Sequence, residues 1–210
     1  MVEPMFSAPI SRRGAQGAFT LVELLVVISI IAVLAGLGFT GGQAAMRQAK
    51  KTQTLNLLNT IKIGVNQYMT EYGKLPNLEG EAPEEDAAYA SDSDEFKTLV
   101  EILLGAKGDD ASDTAKKANP RQIVFVEFQN KDFEGNAKDN KIMAPIMSGK
   151  RKPIYIVLDY DYDGKLTKDV FEMGDEAKPK DDVRGSVALW NQGAAADKGS
   201  MLKGDLIATW

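Results

Sequence analysis

Asp159, Asp161 and Asp163 sit at alternate positions in the stretch DYDYDG, with Gly164 behind them. Carboxylates at positions one, three and five of a loop, followed by a sharp-turning glycine, open the helix–loop–helix type of calcium site. The pattern then stops. Position twelve is Val170, where that site needs a bidentate glutamate, and no flanking helices are expected. A hairpin is the competing reading, because Asp163-Gly164 is a standard turn pair between two strands. Strand alternation would then set the three aspartates on one solvated face. Both readings stay open at this point.

A fourth carboxylate, Glu23, lies near the start of the apolar run FTLVELLVVISIIAVLAGLGF. The chain has no cysteine and no histidine. That excludes disulfides, thiolate metal sites and a cysteine nucleophile. It also removes the usual general base and the commonest zinc ligand. The composition therefore argues against an enzyme, and a membrane-tethered enzyme using the aspartates is only a remote alternative. The formal net charge is -5. Residues 1–18 hold Arg12 and Arg13 against Glu3, so the rest of the chain is more acidic still. An acidic surface repels a phosphate backbone, and nucleic-acid binding is not expected.

Residues 19–39 would form a helix roughly 31 Å long at ~1.5 Å per residue, close to the about 30 Å of a bilayer's hydrocarbon core. Thr20, Glu23 and Ser29 are its polar side chains. The run reads as a single membrane-crossing helix. Arg12 and Arg13 before it keep the amino terminus in the cytoplasm by the positive-inside bias. A secretory signal with an apolar core over 24–37, or a plain anchor, would also be apolar here. Glu23 fits neither. A carboxylate at the centre of a membrane helix costs something like 2.5–3.5 kcal/mol on insertion scales, and less near an end. It calls for a partner.

Basic residues, then a small residue, then FTLVELLVVISIIAVLA resemble the class III signal of type IV pilins and type II secretion pseudopilins. The resemblance implies a leader, residues 1–18, removed by a prepilin peptidase on the cytoplasmic side. It implies N-methylation of the new terminal residue, and a glutamate at mature position five that meets the terminal amine of a neighbouring subunit. Carried over, the cut falls between Ala18 and Phe19, and Glu23 is fifth. The family usually has Gly before the cut. Cutting after Gly17 would make Glu23 sixth, so Ala18–Phe19 is the expected bond. Glu23 would then be unpaired in a lone subunit and satisfied on assembly, which favours docking in one register.

Beyond the run, Leu58, Ile61, Val65, Tyr68 or Met69, and Tyr72 recur at helical spacing. Gly73 and Pro76 stop that helix. Gly36, Gly38, Gly41 and Gly42 predict a weak or bent helix over 36–42, with close helix–helix contact as the alternative use of small residues. Residues 79–95 are acidic and rich in Ala and Ser, and read as a surface loop without packed core. Residues 94–104 read as a short helix capped by Asp92 or Ser93 and ended by Gly105. The stretch KGDDASDTAKKANPR reads as another loop. Strands are expected at 122–128 (QIVFVEF) and 153–160 (PIYIVLDY), with weaker candidates at 165–171 and 186–190 and in the final LIATW.

The expected fold is α+β: a long amino-terminal helix, its first half transmembrane, packed on a small antiparallel sheet. Its parts are the leader 1–18, a transmembrane and assembly helix over 19–42, and a periplasmic domain over 43–210. Within that domain the amphipathic half of the long helix runs to about 73, variable loops and a short helix occupy 79–121, and the β region is 122–210. The stretch VALWNQGAAADKGSMLKGDLIATW resembles the carboxyl tail of major pseudopilins, where a Gly-Asp-rich loop binds calcium and locks the fold. The resemblance places Asp197 and Asp205 near that site, although Gly204 replaces one of its paired aspartates. The implied function is a structural subunit of a type II secretion pseudopilus, with a type IV pilus subunit as the alternative. Implied partners are the prepilin peptidase, further copies of the chain, other pseudopilins and the inner-membrane assembly platform. The implied location is the bacterial inner membrane, then the pseudopilus. No cofactor other than calcium is expected.

Overall fold

In a computed structural model the described residues are 19–135, 140–145, 151–171, 178–193 and 206–210, with the side chains of 37–41 and 43–44 left aside. The protein is α+β. It divides into two compact units, Met1–Ala45 and Met46–Trp210. The first helix, α1, is Leu21–Tyr72. It stays helical through Gly36 and Gly42, so the expected weakening over 36–42 does not break it. A Cβ added at either of these two glycines would meet nothing within 4 Å. The helix ends where the sequence predicted: Gly73 adopts φ +68°, and its N–H donates to the Met69 carbonyl at 2.8 Å.

In the second unit, Leu58, Ile61, Val65 and Tyr68 of α1 are buried in the main core. Helix α2, Asp94–Leu103, adds Phe96, Leu99, Val100, Ile102 and Leu103 to the same core. Ser93 caps it by accepting from the Phe96 N–H. Gly105 follows at φ +96°, as a left-handed helix terminus requires. A short helix, α3, Asp113–Ala118, lies where a loop was expected. The Ser112 side chain caps it by accepting from the Ala115 N–H.

A four-stranded antiparallel sheet supplies the other side of the core. Its strands are β1 (Ala87–Ala90), β2 (Ile154–Leu158), β5 (Val187–Asn191) and β6 (Ile207–Ala208), in the order β1-β2-β5-β6. Strands β3 (Lys165–Leu166) and β4 (Val183–Arg184) form a separate two-stranded pair. Alternation along β2 and β5 sends side chains to both faces. Ile154, Ile156, Leu158, Val187 and Leu189 join the main core. Val157, Ala188 and Trp190 join Leu166 and Phe171 in a second, smaller core. Both faces of the central strands are thus covered, so they read as continuous apolar runs.

Three further expectations are corrected. Residues 79–95 are not a coreless loop, because they contain β1, whose Tyr89 is 6% exposed. Its pairing with β2 brings an otherwise polar segment onto the sheet. Residues 122–128 are not a strand. The N–H groups of Phe125 and Val126 both go to the Leu103 carbonyl at the end of α2, leaving no ladder with a neighbour. Their aromatic and branched side chains pack instead: Phe125 meets Tyr68 and Tyr72 edge-on. Finally, Asp163-Gly164 does not join two paired strands. β2 pairs with β1 and β5, while β3 pairs with β4. The loop between β2 and β3 carries the chain from one sheet to the other.

Candidate functional site: an exposed apolar helix start and a carboxylate cluster

The amino-terminal unit presents an apolar helix that its own described residues do not cover. Every described side chain from Leu21 to Ala35 is exposed, and Phe19 is 83% exposed. Among the described residues, no helix is long and apolar enough to cross a membrane.

In the single chain Glu23 has hydrogen-bond partners in Thr20. Its Oε2 accepts from the Thr20 N–H at 3.1 Å and from the Thr20 hydroxyl at 3.0 Å. In return the Glu23 N–H donates to Thr20 Oγ1 at 3.2 Å. This is a capping box, in which a hydroxyl residue and the glutamate three positions on satisfy two orphan donors of the helix start. The spacing Thr20-x-x-Glu23 before an apolar run was readable in the sequence as that signature. The box supplies hydrogen bonds but no positive charge. Among the described residues, no cation pairs with Glu23.

The three aspartates of DYDYDG separate. Asp159 and Asp161 come together, but their third companion is Asp86, immediately before β1. Each of the three offers a carboxylate oxygen within 4.8 Å of the others. Asp163 lies outside this group. Its Oδ1 accepts from the Lys165 N–H at 2.7 Å, and its own N–H donates to Asp161 Oδ1 at 3.1 Å, so it shapes the turn. Gly164 at φ +80° completes that turn, and its N–H donates to Asp159 Oδ2 at 3.1 Å. Asp86 Oδ2 accepts from the Thr167 N–H at 2.6 Å.

Asp159 is 1% exposed, and its Oδ1 has no hydrogen-bond donor. Asp86 Oδ1 is also buried without one. Burial, the bond with Asp161 and the negative charges of Asp86 and Asp161 push the Asp159 carboxyl above the usual carboxylate range, against the pull of the Gly164 N–H. Such a site can hold a hard cation or a proton. Asp86 carried no local sequence signal. It arrives because β1 pairs with β2 in the register Ala87–Leu158, and only that long-range pairing sets it beside Asp159. Ala18, Asp197 and Asp205 lie outside the described residues.

Residues 13–39 match the family model of the prokaryotic N-terminal methylation motif. Fimbrial protein EcpC of Eikenella corrodens is 25% identical over 127 residues, which are 60% of this chain and 79% of that protein. Prepilin peptidase-dependent protein D of Escherichia coli (strain K12) is 37% identical over 65 residues, 31% of this chain and 44% of that protein. The chain thus spans less than half of that second relative. No solved structure matches it.

Proposed function

We propose that this chain, type IV pilin-like in its methylation motif and α+β fold, is a structural subunit of a type II secretion pseudopilus. The observation that carries the reading is the apolar start of α1, exposed at every described side chain from Leu21 to Ala35 and lying within the matched methylation motif. Apolar surface on this scale is unstable in water. Lipid covers it before assembly, and the helices of neighbouring copies cover it afterwards. The location is the inner membrane, crossed once by the helix, with the amino terminus cytoplasmic and residues 43–210 periplasmic. A prepilin peptidase removes residues 1–18 at the Ala18–Phe19 bond, and Phe19 is N-methylated. The relative named as dependent on that peptidase supports this step. The role is mechanical: copies leave the bilayer, stack, and drive export together with other pseudopilins and the assembly platform.

Glu23 serves twice in this reading. Its Oε2 closes the helix start with Thr20, and its charge meets the terminal amine of a neighbouring copy. The capping box holds the carboxylate in one place, which lowers the ordering cost of that pairing.

The match to a fimbrial protein favours a second reading, a type IV pilus subunit for adhesion, motility or DNA uptake. Deletion of the gene separates the two. Lost secretion of an exported protein with normal surface motility is the expected result. Lost surface filaments and motility with intact secretion would replace the first reading by the second. Mass spectrometry of the mature protein tests the processing step, and a chain beginning at Ala18 would overturn the chosen bond.

A further inference from the structure

The geometry points to a binding site for a hard divalent cation, of calcium's size and ligand preference, at Asp86, Asp159 and Asp161. This inference stands apart from the filament reading and holds whether or not that reading does.

Three carboxylates within 4.8 Å of one another are mutually repulsive unless something positive lies between them. Among the described residues, no cationic side chain pairs with any of them. Two of them extend the β1–β2 ladder outward from Ala87–Leu158, and like charges facing across a strand pair destabilise it. Acidic groups alone can simply repel one another at a surface. The distinguishing observation here is burial: Asp159 is almost fully enclosed, and its Oδ1 has no donor. Asp86 Oδ1 shares that condition. A buried carboxylate oxygen without a donor is costly, and a cation would satisfy both.

The remaining geometry is that of a prepared site. Backbone N–H groups of Thr167, Gly164 and Asp163 each hold one oxygen of Asp86, Asp159 and Asp161 respectively. That fixes the carboxylates while leaving each a second oxygen. The donor set is oxygen alone, which disfavours zinc. Three carboxylates are more than magnesium usually takes from protein, whereas calcium accepts a larger and more flexible oxygen shell completed by water. Asp161 is exposed, so the ion has a way in. Once bound, it would fasten the approach to β1 onto the loop that links the two sheets.

The test is a thermal melt of the full-length chain in detergent micelles, with calcium and with a chelator. At calcium about a hundredfold above its dissociation constant, the midpoint should rise by roughly 5 °C or more. Asp86→Asn should remove most of that rise, and its midpoint in chelator should exceed the wild type's because one repulsion is gone. Asp197→Asn with Asp205→Asn should keep the rise. Calorimetric titration of calcium into Asp161→Asn gives a second readout at an exposed position, where folding is not at stake, and the one-site heat of the wild type should vanish. Equal wild-type midpoints in calcium and chelator would overturn the proposal and leave a proton shared between Asp159 and Asp161. An undiminished rise in Asp86→Asn, or undiminished heat in Asp161→Asn, would overturn it as well.

Discussion

Asn119 is the residue on which the helical side of the second unit closes, and replacing it with Ala should be among the most damaging single changes. It is fully buried. Its Nδ2 donates to the Ile102 carbonyl at 2.9 Å and to the Ile123 carbonyl at 2.8 Å. Its Oδ1 accepts from the Ile123 N–H at 3.1 Å and from the Tyr72 hydroxyl at 2.7 Å. One side chain therefore joins α1, α2 and the segment after α3. Ala keeps none of these bonds. The Ile102 carbonyl still accepts from the Gly105 N–H, and the Tyr72 hydroxyl can turn to water. The two part-buried Ile123 groups lose their partner, at roughly 1–2 kcal/mol each. With the small cavity added, Asn119→Ala should cost ~3–5 kcal/mol. Tyr72→Phe deletes one of the four bonds and should cost about 1 kcal/mol. Urea unfolding of the full chain in micelles, followed by tryptophan fluorescence, compares the two through the midpoint at constant slope. A loss below about 1 kcal/mol for Asn119→Ala, or equal losses for both variants, would refute this reasoning.

Gly64→Ala should destabilise despite the better helix propensity of Ala, because the new Cβ would clash with Val126 Cγ2. Overpacking of about 1–3 kcal/mol outweighs a gain of about 1 kcal/mol. Val126→Ala should then rescue Gly64→Ala in a double-mutant cycle, and strict additivity would contradict the packing. Burial, helped by the nearby Tyr72 and Tyr162, raises the Tyr68 phenol from 10.0 to about 12. The fold favours the neutral phenol, so this contribution is intact below pH 10 and is lost as pH climbs from 10 towards 12. The urea midpoint should fall across that window, and a flat midpoint in wild type would contradict the assignment.

Local signals made α1 and α2 legible, while α3 and its Ser112 cap were read as loop. The spacing from Leu58 to Tyr72, Gly73 after it, and Ser93 before α2 each act within one or two turns of the chain. The same logic made β2 and β5 legible as dense runs of branched and aromatic residues. It failed where partners are distant. β1 is mostly alanine and sits in an acidic stretch; it is a strand because β2 lies beside it. QIVFVEF has a strand's composition, yet its N–H groups turn to the end of α2. The carboxylate site was half legible. Asp159 and Asp161 stand in a recognisable spacing, while Asp86 joins them from 73 residues away through strand register. Thr20 was a local signal passed over: the capping box was in plain view, overshadowed by the question of what Glu23 pairs with in a membrane.

Because the capping box and the proposed inter-subunit pair use the same side chain, one substitution separates them. Glu23→Gln keeps an acceptor for the Thr20 N–H and so keeps the helix start, but it removes the charge. Filament yield from cells making Glu23→Gln in place of the wild-type chain is the most direct measure of the assembly account. The account predicts that the variant is made, processed and folded normally, and fails to polymerise. Filaments at wild-type yield from Glu23→Gln would contradict it.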